Sequence, residues 1–280
     1  MKAKIPDELK QDVPQNKWGK ILTSTPVIMT VIATLLAGLA SSEMTTAQYD
    51  RALGAQLQSK AGDQWSYFQA KKLRGAMQRN SLELLQATTE IKPLENPALE
   101  KLPAVTTPPL DATIKAALEL IEQQRPESEI TLATKPVNDA ALATALQAAR
   151  DNVLAFDAAL APANQELEQL EKLVAGGDRD ARRDYAATKM RFNAARYDVE
   201  AKLNQGIANL LELQVRRANL SAERHHKRSG KFFMGMLAAQ AAVIVATFAL
   251  AARQKSILWT LAAVAGLAAI IFAIYVYLRV

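Results

Sequence analysis

The sequence predicts an all-α protein with three transmembrane helices and a long helical hairpin, in part a coiled coil, outside the membrane. Three runs without a charged residue predict the spans: 21–42, 232–252 and 256–278. At about 1.5 Å per residue each run covers roughly 30 Å, the thickness of the hydrocarbon core of a bilayer. Residues 43–231 are polar, with apolar residues at helical spacing. A plain soluble enzyme is therefore excluded.

The N-terminal region combines a polar tail, residues 1–20, with the first predicted span, residues 21–42. This span contains several Thr and Ser residues and one proline. Pro26 follows Ser-Thr, and we expect it to be the first residue of a helix. At that position the N–H that proline lacks would make no helical hydrogen bond in any case. The alternative is a cleaved signal peptide, because Ala37 to Ser42 is rich in small residues, although the polar leader is long for one.

Residues 43–90 contain no proline and predict one long soluble helix. Apolar side chains recur three or four positions apart, which places them on one helical stripe. These residues are Leu53, Leu57, Ala61, Trp65 and Phe68. Glycine weakens a helix interior by up to about 1 kcal/mol. We therefore expect any break in this helix at Gly62 and Asp63.

Residues 91–177 predict a Pro-rich helical insertion, because seven of the 11 prolines lie there between positions 93 and 136. Proline ends helices and biases the preceding residue toward an extended backbone. We expect a linker at 92–110, a short helix at 111–124 and a second connection at 125–137.

A helix rich in Ala, Leu and Gln follows, with Asn138 or Asp139 as its N-cap. Pro162 is a candidate interruption of this helix. Gly176 and Gly177 form a typical helix end.

Residues 178–231 predict a coiled-coil helix that continues into the second span, 232–252. The spacing of apolar and small residues alternates between three and four, as in heptads. These residues are Tyr185, Thr188, Phe192, Ala195 and Val199. Leu203 then follows after four positions, a stutter that locally unwinds the supercoil. Gly230 is the only expected interruption, and Arg253-Gln254-Lys255 predicts a tight turn into the third span, 256–278.

Charge differs along the polar region. Residues 91–170 contain 6 Lys and Arg against 12 Asp and Glu, whereas residues 171–231 contain 14 against 8. In a hairpin that stands on the membrane, the acidic part would lie distal and the basic part near anionic lipid headgroups.

Orientation is predicted from the short loops, where excess Lys and Arg favours the cytoplasm. The tail and the 253–255 turn contain seven basic residues, whereas the C-terminus contains only Arg279. This favours a cytoplasmic N-terminus and an extracytoplasmic 43–231 domain. The basic run from Arg224 to Lys231 argues for the opposite orientation.

The run Gly62-Asp-Gln-Trp-Ser-Tyr-Phe-Gln-Ala-Lys-Lys72 resembles a segment of the bacterial membrane-protein family catalogued as domain of unknown function 4337. Asp184-Tyr185-Ala186 and residues 216–280 are also similar, whereas Phe68 stands where Tyr is usual. The resemblance covers 20–90 and 178–280 and implies a bacterial inner-membrane topology. It implies no chemistry, and residues 91–177 read as an insertion to which nothing carries over.

Two groups of residues are candidates for interaction. Small residues four apart allow helices to approach closely in lipid, and aromatic and apolar residues on the stripes pack bundles. The helix-packing and oligomer candidates are Trp65, Phe68, Tyr185, Phe192, Val199, Ala238, Ala242, Ala246, Ala265, Ala269 and Ala273. Thr34, Gly38 and Ser42 have the same spacing, and Gln240 can hydrogen-bond across such an interface. The lipid-headgroup candidates are Arg224, Lys227, Arg228 and Lys231.

The sequence offers no catalytic or cofactor motif, so we expect no enzyme activity, no cofactor and no metal site. With no Cys, disulfides, thiolate zinc sites and Cys nucleophiles are excluded. His225 and His226 are adjacent, point about 100° apart and read as a solvated face. Acidic residues interleave with the basic residues of 178–200, so nucleic acid is not an expected partner.

The expected function is that of a multi-pass bacterial membrane protein that acts as a structural or scaffolding component through coiled-coil self-association. Its expected partners are the lipid bilayer and further copies of the chain. Long helices would set a fixed distance from the bilayer, and their apolar stripes would pair with neighbours. The alternative is an accessory subunit of a membrane transporter or membrane enzyme complex, bound to a partner protein.

Overall fold

The computed structural model describes residues 17–92, 94, 96–105, 110–251 and 257–279, and these residues form helices and connections without a strand. The described helices are α1 (Lys17–Thr88), α2 (Pro97–Glu100), α3 (Ala112–Glu122), α4 (Glu127–Thr134), α5 (Asp139–Ala159), α6 (Ala161–Ala175), α7 (Arg179–Ala251) and α8 (Ile257–Arg279). The predicted 253–255 turn and most of the N-terminal tail lie outside the described residues.

Helix α1 is longer than predicted. It begins before Pro26, so the prediction that Pro26 opens the helix is wrong. Proline removes one backbone hydrogen bond, and the remaining bonds of a long helix continue on both sides. The helix also continues through Gly62 and Asp63, where the sequence suggested a break.

The Pro-rich region contains more helix than predicted. Pro97–Glu100 is helical within the predicted linker, and α4 occupies much of the predicted connection at 125–137. Pro126 is the N-cap residue of α4, and Glu127 and Glu129 lie in its first turn, where the helix dipole favours acidic side chains. Proline at this boundary therefore starts a helix rather than separating two.

The remaining helix ends follow the sequence signals. Asn138 caps α5 by accepting hydrogen bonds from the backbone N–H groups of Ala140 and Ala141. Leu160 separates α5 from α6, two residues before Pro162, and Gly176 is the C-cap of α6. Helix α7 continues through Gly230.

The chain divides into two compact units, and α1 and α7 contribute residues to both. The first unit contains the described residues up to Arg51 and from Ser221 onward; the second unit is Ala52–Leu220.

In the first unit, the three helices pack through small residues. Ala33 of α1, Ala239 of α7 and Ala269 of α8 form one buried cluster, at 6%, 0% and 1% exposure. Near the C-terminal end of α7, Ala246 and Ala249 pack on Ala262 of α8. Gly266 lies so close to α1 that a Cβ there would be 2.7 Å from the Sδ of Met29.

In the second unit, the Ala52–Thr88 part of α1 runs antiparallel to α7. Gly54 faces Ala218 and Asn219, whereas Gly75, further along α1, faces the earlier residues Tyr197 and Asp198 of α7. Two apolar cores join the shorter helices to this pair. One contains Ala61, Ile114, Ala117, Val137, Leu142, Ala145, Leu146, Ile207, Leu210, Leu211 and Leu213; the other contains Leu99, Phe156, Leu160, Ala163, Leu167, Tyr185 and Phe192.

Candidate functional site: helix interfaces and a charged clamp

The first unit has a burial pattern opposite to that of a protein core in water. Its buried apolar side chains are mostly alanine, with Met29, Leu36 and Phe232 as the large exceptions, whereas most of its large apolar side chains are exposed. Val27, Val31 and Leu35 of α1 are 66%, 54% and 63% exposed. Phe248 of α7 and Val264 of α8 are each 64% exposed. Helix bundles in lipid pack in this way, because lipid solvates large apolar side chains and small residues let the helices approach.

The alanine candidates lie at these interfaces to different degrees. Ala242, Ala246 and Ala269 are buried, whereas Ala238 and Ala265 are half-buried. Ala273 lies in α8, and its side chain is not among those that the structure describes.

A charged clamp closes the polar end of the first unit. Glu43 of α1 is the acceptor for two α7 side chains, with His225 Nδ1 at 2.5 Å from Oε2 and Arg228 Nη1 at 3.3 Å from Oε1. All three side chains are at most 26% exposed. One turn away, the buried Ser229 hydroxyl donates to the carbonyl oxygen of Ala40 at 2.7 Å. Three contacts thus fix α1 against α7 at one register.

The clamp differs from the sequence interpretation. His226 is exposed, but His225 is half-buried against Glu43, so it does not lie on a solvated face. Of the lipid-headgroup candidates, Arg224 and Lys227 are exposed, and Lys227 pairs with Glu223. The Lys231 ammonium lies 5.9 Å from the ring centre of Tyr275.

The sequence does not identify Glu43 as a contact residue, because a carboxylate at the end of an apolar run is typical of the start of a solvent-exposed helical segment. Its partners are about 180 residues away along the chain. Only the antiparallel register of α1 and α7 brings them together.

The Trp-containing run contacts α7 in the second unit. Gln64 Nε2 donates to Asn204 Oδ1, and Lys71 forms an ion pair with Glu200. Trp65 and Phe68 are half-buried and form an edge-to-face pair with ring centres 5.4 Å apart. Polar pairs of this kind fix the register of two helices, because a shift by one turn would leave the partly buried groups unpaired.

The α7 candidates of the second unit lie at or near the core. Tyr185 and Phe192 are buried, Val199 is half-buried, and Thr188 is 3% exposed. Ala195, on the same predicted stripe, is exposed. The buried face of α7 therefore drifts away from a strict heptad.

A small ionisable cluster surrounds Tyr185. Its hydroxyl lies 3.0 Å from Glu171 Oε2 and 3.1 Å from the carbonyl oxygen of Leu167, and Lys189 Nζ lies 2.9 Å from the same carboxylate. The hydrogen bonds from Lys189 and then from Tyr185 lower the pKa of Glu171. Burial, and then Glu171, raises the pKa of Tyr185, and the bond to Glu171 raises the pKa of Lys189. This cluster ties α6 to α7.

Among the described residues, no three His, Cys, Asp or Glu side chains form a group that could hold a metal ion. Two described helices are long and apolar enough, by length and composition alone, to cross a membrane. They are Ser24–Thr88 within α1 and Arg179–Ala249 within α7, and each contains an apolar stretch of sufficient length. Helix α8 has an apolar stretch over Thr260–Phe272, which is shorter.

The described residues thus define an all-helical protein with two long apolar helices. The family model described as Domain of unknown function (DUF4337) matches residues 18–155. The chain resembles this family, as the Trp-containing run indicated. The match continues through 91–155, where the sequence suggested an insertion outside the family pattern, and it ends before the similarity noted in 178–280. No curated protein matches the chain. No solved structure matches it either.

Proposed function

We propose that the protein is a multi-pass bacterial inner-membrane protein that acts as a structural or scaffolding component through helix self-association. The inverted burial pattern of the first unit supports the membrane assignment, since exposed Val, Leu, Ile and Phe side chains on all three helices suit lipid better than water. In this proposal α8 is the third span, the N-terminus is cytoplasmic and residues 43–231 are extracytoplasmic.

A groove on the first unit supports self-association. It has a volume of about 440 Å³ and lies between Thr30, Ala33, Thr34 and Ala37 of α1 and Gln240, Val243 and Ile244 of α7. Gln240 is exposed and makes no hydrogen bond within the described part of the chain. Lipid hydrocarbon contains no hydrogen-bond partner for the Gln240 amide. Gln240 of a second copy offers both a hydrogen-bond donor and an acceptor, so association would satisfy both side chains.

The experiment is the mass of the natively purified protein in detergent, measured by light scattering. We expect a multiple of 30.5 kDa with no other chain. Gln240→Leu should weaken the association roughly 3- to 30-fold, as loss of about 0.6–2 kcal/mol predicts. Thr247→Leu is the matched control, because Thr247 is exposed on the same helix but its hydroxyl donates to Val243. A lone monomer would contradict the scaffold.

A second candidate function is an accessory subunit of a membrane transporter or membrane enzyme complex. It is favoured by an exposed apolar stripe on α1 in the second unit, where Leu73, Met77 and Leu84 are 62%, 59% and 67% exposed. Their spacing of four and seven places them on one side of the helix. A second polypeptide at fixed ratio in the same mass measurement would favour this function over the scaffold.

A further inference from the structure

Two neighbouring pockets of the second unit share three lining residues, Glu122, Lys202 and Asn209. We call the two pockets together the cleft, and each of them a chamber. The apolar chamber has a volume of about 690 Å³, with Leu118 and Leu203 among the residues of its wall. The polar chamber has a volume of about 710 Å³ and is lined by Trp65, Arg125 and Arg216, with three glutamates. Both volumes lie within the range of about 300–1,000 Å³ that small-molecule sites occupy.

The shared residues present unsatisfied polar groups to the cleft. Asn209 is 3% exposed, and its Nδ2 donates to Glu122 Oε1 at 2.9 Å. Within the described part of the chain, its Oδ1 accepts no hydrogen bond. The Oδ1 atom is therefore available to accept a hydrogen bond from a ligand.

The two charges at the junction of the chambers are not neutralised by the protein. Lys202 and Glu122 form no ion pair with each other or with another described residue. The other cations of the cleft are paired, since Arg216 contacts Glu127 and Glu212, and Arg125 contacts Glu129. The Lys202 and Glu122 side chains are both exposed, so the residues that the two chambers share offer one accessible cation and one accessible anion beside the apolar chamber.

We propose that this cleft binds an amphipathic small molecule with a hydrocarbon body and a zwitterionic head. The body occupies the apolar chamber, the anionic group of the head contacts Lys202, and an ammonium group donates to Glu122 and to Asn209 Oδ1. A purely anionic head would be repelled by the Glu122 carboxylate, and a purely cationic head would be repelled by the Lys202 ammonium. Either head should therefore bind more weakly than a zwitterionic one. The proposal is independent of self-association and of the orientation in the membrane.

Gly206 provides a selective way to close the apolar chamber. It lies in α7 on the chamber wall, and a Cβ there would meet no atom within 4 Å. Gly206→Leu fills the chamber without an initial clash. Gly62→Leu is the matched control. Gly62 is also helical, and a Cβ there would meet no atom within 4 Å, but Gly62 lines neither chamber.

The experiment uses the full chain in lipid nanodiscs. Trp18→Phe and Trp259→Phe leave Trp65, at the polar chamber, as the only tryptophan. Its emission is followed during titration with three eight-carbon probes below their micelle concentrations: octyl phosphoethanolamine, octanoate and octylammonium. We expect saturable binding of the zwitterionic probe and at least tenfold weaker binding of the other two.

Variants test the assignment of each group. Lys202→Met and Glu122→Gln should each weaken the zwitterionic probe about tenfold, and Gly206→Leu should abolish saturation while Gly62→Leu preserves it. Circular dichroism verifies that each variant is folded. Absence of saturation in the parent, equal binding of the three probes, or normal binding by a folded Gly206→Leu would each overturn the proposal.

Discussion

Gln124 has a φ of 52°, a left-handed conformation that glycine adopts without strain and glutamine does not. It follows the C-terminus of α3, where its N–H bonds to Ile121 and the N–H of Arg125 bonds to Leu120. This is the Schellman pattern, which favours glycine. We expect Gln124→Gly to raise the free energy of unfolding by up to about 1 kcal/mol in urea titrations.

The neighbouring residue supplies the control. Gln123 has a φ of −78° in the right-handed region, so Gln123→Gly gains nothing from the left-handed preference and should destabilise. Equal effects of the two substitutions would show that the positive φ is not a source of strain.

The cluster of Tyr185, Glu171 and Lys189 predicts how stability depends on pH. The folded pKa of Glu171 is lower than its usual 4.5, so its contribution is present above that value and is lost as the pH falls through the folded pKa. The pKa values of Tyr185 and Lys189 are raised, so their contributions are present below about pH 10 and are lost as the pH rises through the raised values.

Thermal unfolding followed by circular dichroism between pH 2 and 11 measures this dependence. Glu171→Gln should flatten the acidic side of the curve, and Tyr185→Phe should flatten the alkaline side. Glu168→Gln serves as a control, since Glu168 is exposed on the same helix and makes no described contact. If all three variants follow the parent curve, the cluster does not contribute to folding.

At the scale of single residues, the sequence predicted the sites where burial follows from apolar character. Tyr185 and Phe192 are buried, as the stripe on α7 indicated. Ala195 is exposed, since alanine satisfies a heptad pattern without requiring burial. His225 could not be placed, because its half-buried position depends on the Glu43 carboxylate of another helix.

Pairs of elements are held by polar contacts, and the clamp at Glu43 is the clearest. Its carboxylate accepts from two α7 side chains and is 16% exposed, so Glu43→Ala leaves His225 and Arg228 without their acceptor. We expect a loss of about 2 kcal/mol, because removing one member of a partly buried ion pair leaves the other charge uncompensated. Chemical unfolding in detergent micelles, followed by circular dichroism, measures it.

Glu223→Ala is the control for the clamp. Glu223 is 57% exposed and pairs with Lys227 on its own helix, an arrangement that contributes about 0.3–0.5 kcal/mol. If Glu223→Ala cost as much as Glu43→Ala, the effect would reflect charge in general and not the tie between α1 and α7.

At the scale of elements, the sequence predicted helices well and their ends unevenly. Asn138 and Gly176 act as the caps that their side chains predict. The sequence does not predict helix α4, because proline ends helices; Pro126 instead stands at the helix start, where proline is tolerated. Gly62 did not break α1, since packing of neighbouring residues such as Ala61 stabilises the helix on either side.

For the whole molecule, the proposed orientation places Met1–Lys20 in the cytoplasm and residues 43–231 outside. The chain has no Cys, so single substitutions provide unique labels for a membrane-impermeant maleimide. We expect Asn80→Cys, exposed on α1, to react in intact spheroplasts. Gln11→Cys should react only after permeabilisation, because the basic tail favours the cytoplasmic side. Labelling of Gln11→Cys alone before permeabilisation would establish the inverse orientation, in which the basic residues from Arg224 to Lys231 face the cytoplasmic leaflet and its anionic lipids.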